Sequence, residues 1–253
     1  MSLIIYKVIA GALIFIISLI AVAYPLKVRA HPSHHWALEL GDAFASGIFL
    51  GAALFHMLPD AIADFSQILG STTYPIAELF CAGGFLLLLF FERLSGNASS
   101  HQHGSTIPFV IAIIIIIHSL IEGATLGVNT TFATASIIFL AIIAHKSSES
   151  FTLAITLNRS SISLKNTLIV IGIFSLMTPL GIALGTTLTF YLHERIGLML
   201  TAGFNAFAAG TFLYMSTLHH INHHQRSHEG EGMMEFFALL VGLCTMATLA
   251  IWS

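Results

Sequence analysis

IPFVIAIIIIIHSLIEGATLGV, Ile107 to Val128, is apolar enough to lie in lipid, yet it holds His118 and Glu122 near its middle. The next apolar segment, AIIAHKSSESFTLAI from Ala141 to Ile155, repeats the pair as His145 and Glu149. Acidic and basic side chains near the centre of a span cost roughly 2.5–3.5 kcal/mol each on insertion scales. A chain that carries His-x-x-x-Glu in two successive spans therefore has a use for it. Four residues of helix place His and Glu on one face, a turn apart. Two imidazoles and two carboxylates together form a donor set for a divalent transition metal.

The composition around these runs sets the class. Of 253 residues, 56% are hydrophobic and only 8% are charged, and the mean hydropathy is +0.90. Soluble domains average about 25% charged residues, so the chain reads as an all-α integral membrane protein with little mass outside the bilayer. At about 20 residues per span, this length accommodates eight transmembrane helices in a single transmembrane domain, 1–253. The net charge of −3 points away from nucleic acid as a partner. Cys81 and Cys244 both lie in apolar runs and imply no disulfide framework. The first apolar run is too long for a signal-peptide core and reads as a retained span.

The spans are placed at 3–26, 37–58, 74–92, 107–128, 131–157, 167–190, 196–219 and 233–252, with Pro59 ending the second. Eight spans put both termini on one side. The loops on the other side hold Lys27, Arg29, Arg93, Arg159, Lys165 and Arg226, against Lys7 and Arg195 on the terminal side. The positive-inside rule places the first group in the cytoplasm and both termini outside the cell membrane. Asp60, Asp64, Glu78 and Glu194 then fall near the outer face, either as a field that concentrates cations or as ordinary interfacial polarity.

Two internal repeats organise the chain. AFASGIFLGAALFH (Ala43 to His56) matches AFAAGTFLYMSTLH (Ala206 to His219), including Phe49 with Phe212, Gly47 with Gly210 and His56 with His219. These spans would run in opposite directions, which suggests an inverted repeat of helices 1–3 and 6–8, a plan common in secondary transporters. The second repeat is the His-x-x-x-Glu pair itself, joined by the short link Asn129-Thr130-Thr131. So short a link makes spans 4 and 5 antiparallel neighbours, giving a 3+2+3 arrangement.

The principal metal ligands expected are His118, Glu122, His145 and Glu149, which offset a 2+ charge and suit tetrahedral zinc. Fe(II), Mn(II), Cd(II) and Co(II) remain compatible with the same donors. Ser119 and Lys146 follow the two histidines. Lys146 reaches Glu149 at i+3, where its ammonium would act as a fixed counter-charge in place of a second metal. His56 and His219 stand near opposite faces, as lining of entrance and exit routes or as interfacial histidines. His219, His220, His223 and His224 would form one helical face, and with His101, His103 and His228 they make the cytoplasmic side rich in imidazole, a weak metal-binding composition.

These residues resemble the ZIP (Zrt/Irt-like) family of divalent metal transporters. The resemblance rests on His118-Ser119-Leu120-Ile121-Glu122-Gly123 with Leu126-Gly127, and on His145-Lys146-Ser147-Ser148-Glu149. Leu54 to Asp60, Thr178-Pro179-Leu180-Gly181-Ile182-Ala183 and Gly210-Thr211-Phe212-Leu213-Tyr214 extend it over most of the chain. It implies metal movement toward the cytoplasm, a homodimer, and an elevator-like motion of spans 1, 4, 5 and 6 against the rest. Many members carry Asn after the first His and an acid after the second, building a binuclear site. Ser119 and Lys146 depart from that pattern, as in the branch that reads His-Ser and His-Lys.

Three other readings compete with transport of zinc or a related ion. A membrane-embedded zinc hydrolase would need an open metal position and a base, but no His-Glu-x-x-His is present. A dihaem carrier would use His118 and His145 as axial ligands and leave the glutamates unexplained. A metal sensor without transport shares the ligands and differs only in uptake.

Overall fold

The computed structural model describes residues 2–28, 35–70, 74–98, 107–160, 162–188, 194–219 and 232–251. Every regular element among them is a helix: α1 (Leu3–Val28), α2 (His35–Ala52), α3 (Leu58–Leu69), α4 (Ile76–Ala98), α5 (Ile107–Val128), α6 (Phe132–Arg159), α7 (Leu164–Leu188), α8 (Glu194–Tyr214) and α9 (Gly232–Leu249). A π turn, Ala53–Met57, joins α2 to α3 as one rod, and a second, Met215–His219, extends α8. The described residues thus form eight rods. Seven are long and apolar enough to cross a membrane. The remaining one, α4, has 23 residues and carries Glu78, Glu92 and Arg93. Lipid is the only solvent in which all backbone groups of such segments must be satisfied internally, which helices do.

The second rod corrects one expectation. It does not stop at Pro59 but runs on to Leu69. Pro59 falls at the start of α3, directly after the π turn. The π turn before it widens the backbone by one residue per turn, so the ring passes without breaking the rod. Asp60 and Asp64 are therefore helical rather than in a loop. The rod ends at Gly70, whose φ of 74° is a left-handed conformation that glycine adopts without strain. α4 likewise continues past residue 92 to Ala98.

The rods sort into two groups by contact. α1, α5, α6 and α7 each touch the other three; α2, α3, α4, α8 and α9 form the second group, with α2 against α9 and α4 against α8. Contacts between the groups run chiefly through α2 with α6, α4 with α5, and α5 with α8. Glycines set the closest approaches. A Cβ on Gly123 would strike the Thr178 carbonyl, and one on Gly181 the Leu120 carbonyl, so α5 and α7 pack backbone to backbone. The same holds for α4 and α8, where Gly84 faces the Phe207 carbonyl and Gly210 that of Cys81.

The surface is apolar on the outside, as in Ile4, Val8 and Ile20 of α1 and Phe236, Phe237 and Val241 of α9. Many polar side chains lie inside, such as Ser46, Thr152 and Ser175. Lys7 is among them: it is 6% exposed, and its Nζ donates to the Gly127 carbonyl at 2.5 Å. That carbonyl, at the C-terminus of α5, also accepts from Thr186 Oγ1 at 3.2 Å, which ties α1, α5 and α7 together.

Candidate metal site

α5 and α6 are joined by Asn129-Thr130-Thr131. Thr131 caps α6: its side chain accepts from the Thr134 amide at 3.2 Å. The tight link sets the register of the two helices, and their His-x-x-x-Glu faces meet inside the bundle. The pairs are crossed between helices. His145 Nε2 lies 2.5 Å from Glu122 Oε1, and His118 Nε2 lies 3.4 Å from Glu149 Oε1. The two imidazole centroids are 6.1 Å apart.

Donor atoms of His118, Glu122 and His145 all lie within 4.8 Å of one another, and this is the metal-competent cluster among the described residues. Glu149 sits at its edge: one oxygen faces His118, while Oε2 receives Lys146 Nζ at 3.0 Å. His118, His145, Lys146 and Glu149 are all buried. The Nδ1 atoms of both histidines have no hydrogen-bond partner. A buried polar set of this kind is costly unless further charge or donors complete it.

Lys146 is fully buried and held on several sides. Its Nζ donates to Ser119 Oγ at 2.6 Å, lies 3.8 Å from Glu122 Oε2, and stands 4.3 Å above the Phe174 ring of α7. Ser119 in turn donates to the Ile115 carbonyl at 2.8 Å. The i+3 contact with Glu149 was legible in the sequence; the Ser119 and Phe174 contacts depend on helix packing and were not.

Aromatic side chains that no spacing rule singles out complete the surroundings. Phe212 of α8 makes edge contacts with both histidine rings, and Phe49 of α2 packs against it at a tilt. Their only sequence signal was their match in the internal repeat. His56 stands apart from the cluster on the π turn, with Nδ1 3.0 Å from Asp60 Oδ2. The backbone of His219 ends the second π turn. His101, His103, His220, His223, His224 and His228 lie outside the described residues.

Histidines and carboxylates gathered from neighbouring spans, within a bundle whose outer face is apolar, define an integral membrane protein with an interior suited to a cation. The sequence matches the ZIP zinc transporter family over residues 4–108 and again over 97–250, so the chain belongs to that family, whose members are transporters rather than enzymes. It is 28% identical to the zinc transporter ZIP1 of Takifugu rubripes, over 86% of each chain. It is 26% identical to the zinc transporter 11 of Arabidopsis thaliana, over 99% of this chain and 86% of the relative. With the zinc transporter ZIP1 of Homo sapiens the identity is 26%, over 95% and 89%.

Proposed function

We propose that this chain moves a divalent transition metal, zinc foremost and Fe(II), Mn(II), Cd(II) or Co(II) as further candidates, across the cell membrane into the cytoplasm by alternating access. His118, Glu122, His145 and Glu149 hold the ion in transit. The observation that carries this is the crossed pairing of two buried His–Glu sets in the middle of adjacent spans.

Charge explains why such a site both captures and releases. With neutral imidazoles, two carboxylates and the Lys146 ammonium leave a single negative charge. A divalent ion reverses it to a single positive charge. Capture replaces one buried imbalance with another, so neither state is deeply favoured, and the ion can leave again. Lys146 takes the room and the charge that a second metal would need, so the site is read as mononuclear.

The grouping of helices supports alternating access. α5 with α7 mirrors α6 with α1, and α2 with α9 mirrors α8 with α4, the pairs expected if helices 1–3 and 6–8 are an inverted repeat in a 3+2+3 bundle. Both repeated stretches also close on a π turn. The mutually packed α1, α5, α6 and α7 would then move as one body past the remainder. The single transporter domain, the external termini and the homodimer rest on the basic-residue count and the family likeness.

The test is uptake of zinc into liposomes by the purified protein, comparing wild type with His145→Ala. His145 makes the 2.5 Å contact with Glu122, so its loss is expected to reduce uptake by at least the roughly 10–100-fold that losing an outer partner of a metal ligand costs. Undiminished uptake would remove this site from the transport route.

A further inference from the structure

We infer that Phe212 limits the coordination number of the transported ion, and thereby favours tetrahedral zinc over ions that retain water, such as Mn(II). The inference rests on the transport reading above and concerns a residue outside the ligand set.

Phe212 is 0% exposed. Its ring centroid lies 5.1 Å from that of His118 at 64°, and 6.2 Å from that of His145 at 73°, edge contacts with both imidazoles. The ring is hemmed in. Phe49, 1% exposed, lies against it with centroids 4.8 Å apart and planes tilted by 52°. Nor can its helix recede, because Gly210 and Gly84 lock α8 against α4. Lys146 also bounds the cluster, holding Glu149 and Ser119 over the Phe174 ring and standing 3.8 Å from Glu122 Oε2.

What remains between these walls is the space enclosed by the His118, Glu122 and His145 donors, within 4.8 Å of one another, with Glu149 at its edge. Water bound to a metal needs acceptors of its own, and a phenyl ring supplies none. Zinc is satisfied by four protein ligands at about 2.0–2.2 Å. Mn(II) prefers six oxygen ligands and would have to bring water into a space that Phe212 occupies. Phe212→Ala opens that space directly beside polar donors, where water fits. Phe212→Leu keeps it apolar and mostly filled.

The experiment has two readouts. Purified protein loaded with Co(II) reports coordination by its visible absorption, intense when tetrahedral and weak when six-coordinate. Liposome uptake of zinc in competition with manganese reports selectivity. Wild type and Phe212→Leu are expected to give the intense spectrum. Phe212→Ala is expected to give the weak one, with the zinc-to-manganese uptake ratio falling about tenfold. If Phe212→Ala does not fold, Phe49→Ala removes the ring packed against Phe212 and is expected to shift both readouts in the same direction. An unchanged spectrum and ratio in the folded variant, or a six-coordinate wild type, overturns the inference. A tetrahedral wild type that takes up no metal would instead overturn the transport reading and leave the role of Phe212 standing.

Discussion

Lys146 is the residue on which the site's charge depends. It is fully buried in the membrane interior with Glu149 at 3.0 Å, Ser119 at 2.6 Å and the Phe174 face at 4.3 Å. Removing one partner of a buried ion pair leaves the other uncompensated, at a cost of about 3–5 kcal/mol. Lys146→Met is therefore expected to lower the melting temperature of metal-free protein in detergent. A divalent cation would restore the missing positive charge, so zinc should raise the melting temperature of the variant more than that of wild type. Equal shifts in the two proteins would show that Lys146 and the metal do not share an electrostatic environment.

Among the helices, glycine decides which faces meet. Gly83 and Gly84 are adjacent on α4 and chemically identical, yet they stand in opposite surroundings. A Cβ on Gly83 meets nothing within 4 Å, whereas one on Gly84 strikes the Phe207 carbonyl and reaches the Thr211 amide at 3.3 Å. Backbone cannot yield as a flexible side chain does. Gly84→Ala is expected to destabilise the protein by about 1–3 kcal/mol, the usual cost of overpacking. Gly83→Ala should be neutral or slightly stabilising, because alanine favours helix. Thermal unfolding of the two variants side by side distinguishes a packing glycine from a permissive one. The π turns belong to this scale too. Each follows a repeated apolar stretch, and the first lets the second rod continue past Pro59 to Leu69.

For the whole molecule, the testable feature is the boundary between the two groups of helices. A Cβ on Gly41 of α2 would meet the Phe151 ring of α6, across that boundary. Gly11 of α1 and Ile182 of α7 approach within one group, with Cδ1 of Ile182 3.4 Å from a Cβ on Gly11. In a background lacking Cys81 and Cys244, cysteines at 41 and 151 joined by a short thiol cross-linker are expected to stop zinc uptake. A cleavable linker should return it on reduction. The pair at 11 and 182 should leave uptake near that of the uncross-linked protein, since in the proposed motion its two helices travel together. Equal inhibition by both bridges would argue against movement of one body past the other.

The sequence alone determined the membrane class, the helical character of the spans and the residue types of the candidate site. Apolar runs with few charges leave the backbone no solvent but itself, and two His-x-x-x-Glu pairs across a three-residue link have few ways to avoid each other. Even the G-x-x-x-G spacings at Gly123 with Gly127 and Gly181 with Gly185 are visible in the chain. Their partners are not, because a run such as IAIIIII is equally apolar on every face and carries no instruction about which helix it meets. Tertiary structure decided that α5 pairs with α7 and that the His–Glu pairs cross between helices. It also decided that Lys146 rests on Phe174 and that Phe212 packs against both imidazoles. Contacts of this kind come from shape and close packing between helices, whereas the sequence pattern reports only how each helix meets its solvent.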